Sequence, residues 1–231
     1  MKRYIVVAGI GVLGFLAACK EDEHIKITGD IVGFVKLFDE YGVELADKSN
    51  VTVLLNQTGT ATTDKSGRFE FLNLEPGTFK FEFKKEGFSS TKTYNFIFVG
   101  GSKPAVIYNI NLITLPKIEV KSKDVSVSGN LVTISGTMTQ VNRYYFRYYF
   151  SDKPDVSNEN YVSESATSFC CSDVSQFQHQ ASFYALTSSV YMVAYAISPA
   201  GVEGAYDYYD LEKGVTVNPA GKKLFEPVKI K

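Results

Sequence analysis

Along residues 26–115, short alternations of apolar and polar residues are separated by turn residues. The segment 78–83 (TFKFEF) places its three phenylalanines on one face of a strand and its two charged residues on the other. Further strands are predicted at 31–35, 51–55, 60–63 and 68–71, with turns at 39–42, 64–67 and 75–77. Turns at this spacing predict an antiparallel β-sandwich.

A second series of strands follows a boundary formed by Pro116 and the polar stretch 117–124. These strands are predicted at 131–139, 143–151, 176–184, 190–198 and 205–211. We therefore predict an all-β fold of two tandem antiparallel β-sandwiches, at residues 26–115 and 118–231.

The segment 143–150 (RYYFRYYF) divides its side chains between the two faces of a strand. The core face consists of Tyr144, Phe146, Tyr148 and Phe150. The opposite face is a candidate binding surface, because arginines there can stack on tyrosine rings: Arg143, Tyr145, Arg147 and Tyr149. A second candidate surface consists of Tyr206, Tyr208 and Tyr209, and the exposed carboxylates of Asp207 and Asp210 beside them could bind sugar hydroxyls. The alternatives are cross-strand packing for the first surface and a charged edge strand for the second.

Asp64 opens the turn D-K-S-G and invites comparison with a calcium ligand. A calcium loop needs several oxygen ligands, and the nearby Lys65 and Arg68 oppose a cation. We predict an Asx-turn, in which the carboxylate accepts hydrogen bonds from the following backbone.

Two stretches resemble known families. The run TATTDKSGRFEFLNLEPGTFKFEFKKEGF resembles the carboxypeptidase regulatory-like domain, which implies a transthyretin-like seven-stranded sandwich at 26–115. The segments VTISGTMT, YYFSDKPD and VYMVAYAISPAGVEGAY resemble the fibronectin type III-like repeats of secreted Bacteroidetes proteins, although the proline of the usual lead-in is missing before Tyr191. Both resemblances concern fold and leave function open.

The N-terminus has the layout of a secretory signal at residues 1–18. Lys2 and Arg3 precede an uncharged run at 4–18, which is shorter than a membrane-spanning helix. Its end, Leu-Ala-Ala followed by Cys19, resembles the lipobox of bacterial lipoproteins, which implies cleavage before Cys19 and lipid on its thiol. The alternative is an ordinary signal peptide with a chance cysteine.

The residues after Cys19 form a charged tether at 19–25. Lys20, Glu21, Asp22 and Glu23 resemble the surface-export signal of lipoproteins in Bacteroidetes-type bacteria. The same residues also suit a hydrated tether, since charged linkers extend. We expect a lipid-anchored protein of the outer membrane, exposed on the cell surface, whose anchor makes the membrane one of its partners.

The remaining chemistry is sparse. A formal net charge of −1 without a basic block argues against nucleic acid. Two histidines far apart, His24 and His179, suggest no metal site, and no motif of a known catalytic site appears. We expect no cofactor and no enzymatic activity.

Cys170 and Cys171 are adjacent in the sequence. A vicinal disulfide is strained because the two Cα atoms lie too close, and in a regular strand the thiols would point to opposite faces. We predict a local loop here, and both two free thiols and a disulfide ring stay open.

The combined features predict a non-catalytic binding module. Its aromatic content and the surface-export resemblance favour glycans, captured beside an outer-membrane uptake system. The alternative is a structural or scaffold subunit that binds an outer-membrane protein partner through sandwich edges. A third hypothesis is the accessory domain of a degraded enzyme.

Overall fold

Every regular element in the part of the chain that the structure describes is a β-strand, and the all-β prediction is confirmed. The structure is a computed structural model that describes residues 27–56, 59–139, 144–165, 168–170, 175–198, 202 and 207–231, with the backbone alone at 168–170.

The first sandwich is built from two sheets. One sheet has the order β4-β1-β7 and consists of β1 (Gly29–Phe38), β4 (Arg68–Leu74) and β7 (Ala105–Ile113). The other has the order β3-β2-β5-β6 and consists of β2 (Thr52–Leu55), β3 (Gly59–Thr62), β5 (Gly77–Lys84) and β6 (Thr91–Phe98). Strands β1 and β7 are parallel, and the other pairs are antiparallel.

Alternating side chains from both sheets of the first sandwich fill one core. Ile31, Val35 and Leu37 of β1 point inward, as do Phe81 and Phe83 of β5. The alternation that predicted β5 therefore identified its buried face correctly. Burying each such side chain stabilises the fold by about 1.5–3 kcal/mol.

The second sandwich has a larger and a smaller sheet. The smaller sheet, of order β13-β9-β8, consists of β8 (Val120–Ser128), β9 (Leu131–Met138) and β13 (Gln176–Ser182). The larger sheet consists of β10 (Tyr144–Ser151), β11 (Ser163–Glu164), β12 (Ser168–Cys170), β14 (Tyr191–Ile197), β17 (Gly221–Lys223) and β18 (Val228–Lys229). Strands β15 (Tyr208–Asp210) and β16 (Val215–Val217) form a separate hairpin.

The core of the second sandwich lies on the predicted face of β10. Tyr144, Phe146, Tyr148 and Phe150 are all buried there. From the facing sheet, His179 Nδ1 lies 2.7 Å from the Tyr148 hydroxyl, and the imidazole contacts the Phe146 ring. Burial lowers the pKa of His179, so the histidine is a neutral core residue that satisfies a buried hydroxyl.

The sequence pattern did not predict β6, β7 or β8. Strand β8 is exposed along nearly its whole length and has no alternation of buried and exposed side chains. The polar stretch 117–124, which was assigned to the domain boundary, therefore belongs in part to an edge strand. Strands β6 and β7 each contain an extra residue relative to their partner, with the positive φ values of Asn95 and Asn109 at those points. Such bulges break the period of two on which the prediction depends.

The turn at 64–67 has the predicted form. Asp64 Oδ1 accepts hydrogen bonds from the backbone N–H groups of Ser66 (2.8 Å) and Arg68 (3.0 Å). Gly67 completes the turn with a φ of +85°, and its carbonyl accepts a hydrogen bond from Val35 N. The carboxylate is therefore used by the backbone, which confirms the Asx-turn.

Replacing Gly67 by Ala should destabilise the first sandwich by about 3 kcal/mol or more. A Cβ there would lie 2.1 Å from the Val35 carbonyl oxygen, in addition to the positive φ. Gly129→Ala is the matched control, since Gly129 also has a positive φ but no atom within 4 Å of such a Cβ. It should lose only about 1–2 kcal/mol. Thermal unfolding followed by circular dichroism measures both, and equal losses would contradict the close approach.

Candidate functional site

The predicted aromatic surface of β10 is not an exposed platform. Tyr149 is fully buried, where its ring packs against Tyr161 (centroids 4.9 Å apart) and Tyr195 (5.5 Å). Tyr145 is only partly exposed. The prediction of an exposed Tyr149 is therefore wrong, because residues from β14 and from the loop before β11 cover this face of the strand.

Arg147 connects the two predicted surfaces. Its guanidinium lies 3.2 Å from both carboxylate oxygens of Asp207 and 3.7 Å from Glu164. The arginine is largely covered and held by these acids, so its charge serves to dock Asp207, the residue just before β15, onto β10. This surface is better described as internal packing than as a ligand platform.

The second predicted surface is also mostly structural. Tyr209 is exposed and Tyr208 is partly exposed, but Asp210 is fully buried against the first sandwich. Its carboxylate accepts hydrogen bonds from Lys92 Nζ (2.8 Å) and the Tyr94 hydroxyl (2.9 Å) of β6. A carboxylate placed in this way cannot serve sugar hydroxyls.

Asp210 is ionised in spite of its burial. Desolvation raises its pKa, but hydrogen bonds from Lys92, Tyr94 and the backbone N–H groups of Glu212 and Lys213 outweigh that effect and lower the pKa to about 2. A second ion pair, between Lys80 and Glu212, lies beside it. Together these contacts fix the β15–β16 hairpin of the second sandwich to strands β5 and β6 of the first.

The junction has an apolar part as well. Phe38 at the end of β1 and Ile113 at the end of β7 pack against Val202 and Ala220 of the second sandwich. Nearby, the hydroxyl of Tyr144 donates a hydrogen bond to Glu40 Oε2. The two sandwiches therefore meet through buried apolar, polar and charged contacts.

Several predicted residues lie outside the described residues. These are Cys19, the export-signal residues Lys20, Glu21, Asp22 and Glu23, and also Arg143, Tyr206 and Cys171. The backbone of Ser168–Cys170 is described and forms β12, which pairs with Tyr144–Phe146. The predicted loop is therefore wrong at 168–170, because the ladder with β10 satisfies this backbone.

The bulge in β7 creates an exposed aromatic pocket on the first sandwich. One residue, Phe34, lies between Gly33 and Val35 in β1, whereas two residues lie between their partners Ile107 and Ile110 in β7. The extra residue lets Tyr108 and Asn109 both face solvent, beside Phe34 of β1. Asn109 adopts a φ of +61°, which asparagine tolerates better than most residues.

We call this concavity the β1–β7 pocket. It has a volume of about 400 Å³ and is lined by Phe34, Lys36, Phe38, Tyr108, Asn109, Ile110 and Asn111. Phe34 and Tyr108 are 43% and 67% exposed. The Lys36 ammonium lies 3.5 Å from Glu44. The pocket thus combines two accessible rings with two amides and one ammonium group.

Sequence reasoning missed the β1–β7 pocket because β7 itself was not predicted. The available signal was Phe34, which falls on the polar face of a strand whose other face reads Ile31, Gly33, Val35 and Leu37. A single exposed aromatic residue is common, so Phe34 indicates binding only together with the second exposed ring, Tyr108, which the pairing of β7 with β1 places beside it.

The described residues offer little for chemistry of other kinds. Within them, no three His, Cys, Asp or Glu side chains come together in a way that could hold a metal ion. The same residues contain no helix long and apolar enough to cross a membrane.

Comparison with known proteins finds no matching family model and no matching curated protein. Among solved structures, the chain is similar to a DUF3823 family protein from Parabacteroides merdae, with 12% identity, coverage of 89% of this chain and 99% of that one, and a TM-score of 0.35. It is also similar to a protein from Bacteroides uniformis described as a candidate carbohydrate-binding protein, with 16% identity, coverage of 88% and 98%, and a TM-score of 0.35. Similarity this low assigns no function to the chain.

Replacing Asp210 by Asn should destabilise the protein by about 3 kcal/mol at pH 7, because Lys92 loses its buried partner. The low pKa of Asp210 adds stability above its ordinary value of 3.8, and this stability is lost as the pH falls toward 2. The loss between pH 4 and pH 2 should therefore be larger in the wild type than in Asp210→Asn. Urea unfolding at each pH measures it.

Asp124→Asn is the control, since Asp124 is an exposed carboxylate of the edge strand β8, away from the junction. It should cost less than about 1 kcal/mol at pH 7. Equal effects of the two substitutions would contradict a special role of Asp210.

Proposed function

We propose that this chain is a non-catalytic glycan-binding module, held by lipid on Cys19 at the outer membrane and exposed on the cell surface. The single observation that supports glycan binding best is the β1–β7 pocket. The anchor and the surface location rest on the sequence at residues 1–25.

The β1–β7 pocket has the chemistry that sugar recognition requires. The faces of Phe34 and Tyr108 are apolar and electron-rich, and they suit the C–H face of a pyranose ring. Asn109 provides an amide donor and acceptor, and Lys36 provides a donor, for the hydroxyls at the sugar rim, whereas the Oδ1 of Asn111 is buried. A few polar groups around accessible rings are typical of small-molecule sites.

The rigidity of the pocket supports the same function. Its residues stand on two paired strands, β1 and β7, whose other faces belong to the core of the first sandwich. A site on strands loses little conformational entropy when a ligand binds, in contrast to a site on a free loop.

A second candidate function is a structural subunit of a surface assembly. Among the described residues β8 pairs with β9 alone and leaves one edge open for strand addition. The edge also carries Lys121 and Lys123, and charged residues of this kind oppose edge-to-edge pairing. A stoichiometric protein partner recovered from crosslinked cells would favour this function over glycan capture.

Replacing Tyr108 by Ala should weaken glycan binding roughly tenfold, because the stacking ring is lost. Purified residues 20–231 are first applied to a broad glycan array, and the affinity for the best glycan is then measured by calorimetry. Phe34→Ala should act in the same direction.

Two control substitutions separate the β1–β7 pocket from other tyrosines. Tyr184→Ala removes another well-exposed ring, and Tyr145→Ala removes a ring of the β10 surface. Both should leave the affinity unchanged. No binding on the array, or equal losses for all three tyrosine variants, would contradict the proposed site.

A further inference from the structure

One end of the first sandwich carries an exposed aliphatic cluster. Ile27, Ile97 and Val99 are 56%, 75% and 75% exposed. Gly100 lies between Ile27 and the exposed Pro76, because a Cβ at this position would be 2.9 Å from Ile27 Cγ2 and 3.4 Å from Pro76 Cγ. We call Ile27, Pro76, Ile97 and Val99 the aliphatic tip.

The aliphatic tip and the apolar part of the junction lie at the two ends of β1. Strand β1 begins beside the tip, where Gly29 pairs with Leu74 just before the loop that carries Pro76. It ends at Phe38, which packs against the second sandwich. A strand of ten residues spans about 33 Å. The tip and the apolar part of the junction are therefore at opposite ends of β1.

The chain enters the first sandwich at the aliphatic tip. Ile27 follows Cys19 by eight positions. A fully extended chain of that length spans at most about 29 Å. Lipid on Cys19, which is part of the proposed function, would thus keep the tip within about 29 Å of the membrane surface, and the tip is the place where the tether joins the first sandwich.

We propose that the aliphatic tip contacts the lipid bilayer. Aliphatic side chains gain free energy at the boundary between headgroups and acyl chains, and a second contact of this kind adds to a lipid anchor. The first sandwich then stands on the membrane along β1 and carries the second sandwich outward. This orientation rests on the proposed anchor and does not depend on glycan binding.

The charges of the tip loops indicate which lipids matter. Glu75 and Lys103 are both exposed and have opposite signs, so together they carry no net positive charge that would attract anionic headgroups. The contact therefore depends on the aliphatic side chains, and it should form on zwitterionic phosphatidylcholine and be insensitive to salt.

The absence of tryptophan from the sequence makes the contact measurable. Val99→Trp places a single fluorophore in the tip, and Tyr184→Trp places one at a comparably exposed position in the second sandwich (64%). The mature lipidated proteins, which begin at Cys19, are reconstituted in phosphatidylcholine vesicles with ordinary or brominated acyl chains. Emission of Val99→Trp should be blue-shifted and largely lost in brominated vesicles, whereas that of Tyr184→Trp should not change.

Vesicle flotation of the same samples separates the anchor from the tip. Residues 20–231, which lack both Cys19 and the apolar run at 4–18, should not float with the vesicles. If the lipidated protein with Cys19 intact does not float either, the proposed anchor is wrong, and the proposed orientation fails with it. If it floats but Val99→Trp is equally bright in both kinds of vesicle, the tip contact is wrong and the anchor stands. A blue shift that instead rises with protein concentration in detergent would assign the tip to a second copy and overturn the proposal.

Discussion

The arrangement of the two sandwiches depends on one buried carboxylate. Asp210 is withdrawn from water at the junction, where Lys92 and Tyr94 of β6 donate hydrogen bonds to it. A buried charge is costly unless it is paired, so any opening of the junction leaves both Asp210 and Lys92 without their partners until water replaces them. The apolar contact of Phe38 with the second sandwich works in the same direction. The junction therefore favours a single relative placement of the two units.

This constraint decides which surfaces are available for binding. The β15–β16 hairpin lies against the sheet that contains β5 and β6, and Arg147 holds Asp207 just before it. The two surfaces that the sequence nominated for binding, on β10 and around Tyr208, instead take part in packing within the molecule. The outer face of the sheet that contains β1 and β7 stays accessible, and there the β7 bulge adds Tyr108 and Asn109 to the exposed ring of Phe34. A rigid two-sandwich body would present this pocket in a fixed orientation relative to the aliphatic tip.

Local patterns in the sequence were sufficient for much of the fold. The alternation around Phe81 predicted β5, and the spacing of Asp64 and Gly67 predicted their turn, because both depend on neighbours in the sequence. Tyr149 and Asp210 were predicted to be exposed, since a period of two identifies a face without showing what covers it. Their partners come from distant segments, such as Lys92 for Asp210. The pocket was missed for a related reason, because the bulge at Asn109 is visible only when β7 is paired with β1.

The most direct test of this account is ¹⁵N relaxation of residues 20–231 at pH 7. If the buried Asp210 contact holds the sandwiches together, amides of both should report one rotational correlation time, that of the whole chain. Two different and shorter correlation times, one for each sandwich, would show independent tumbling and contradict the account.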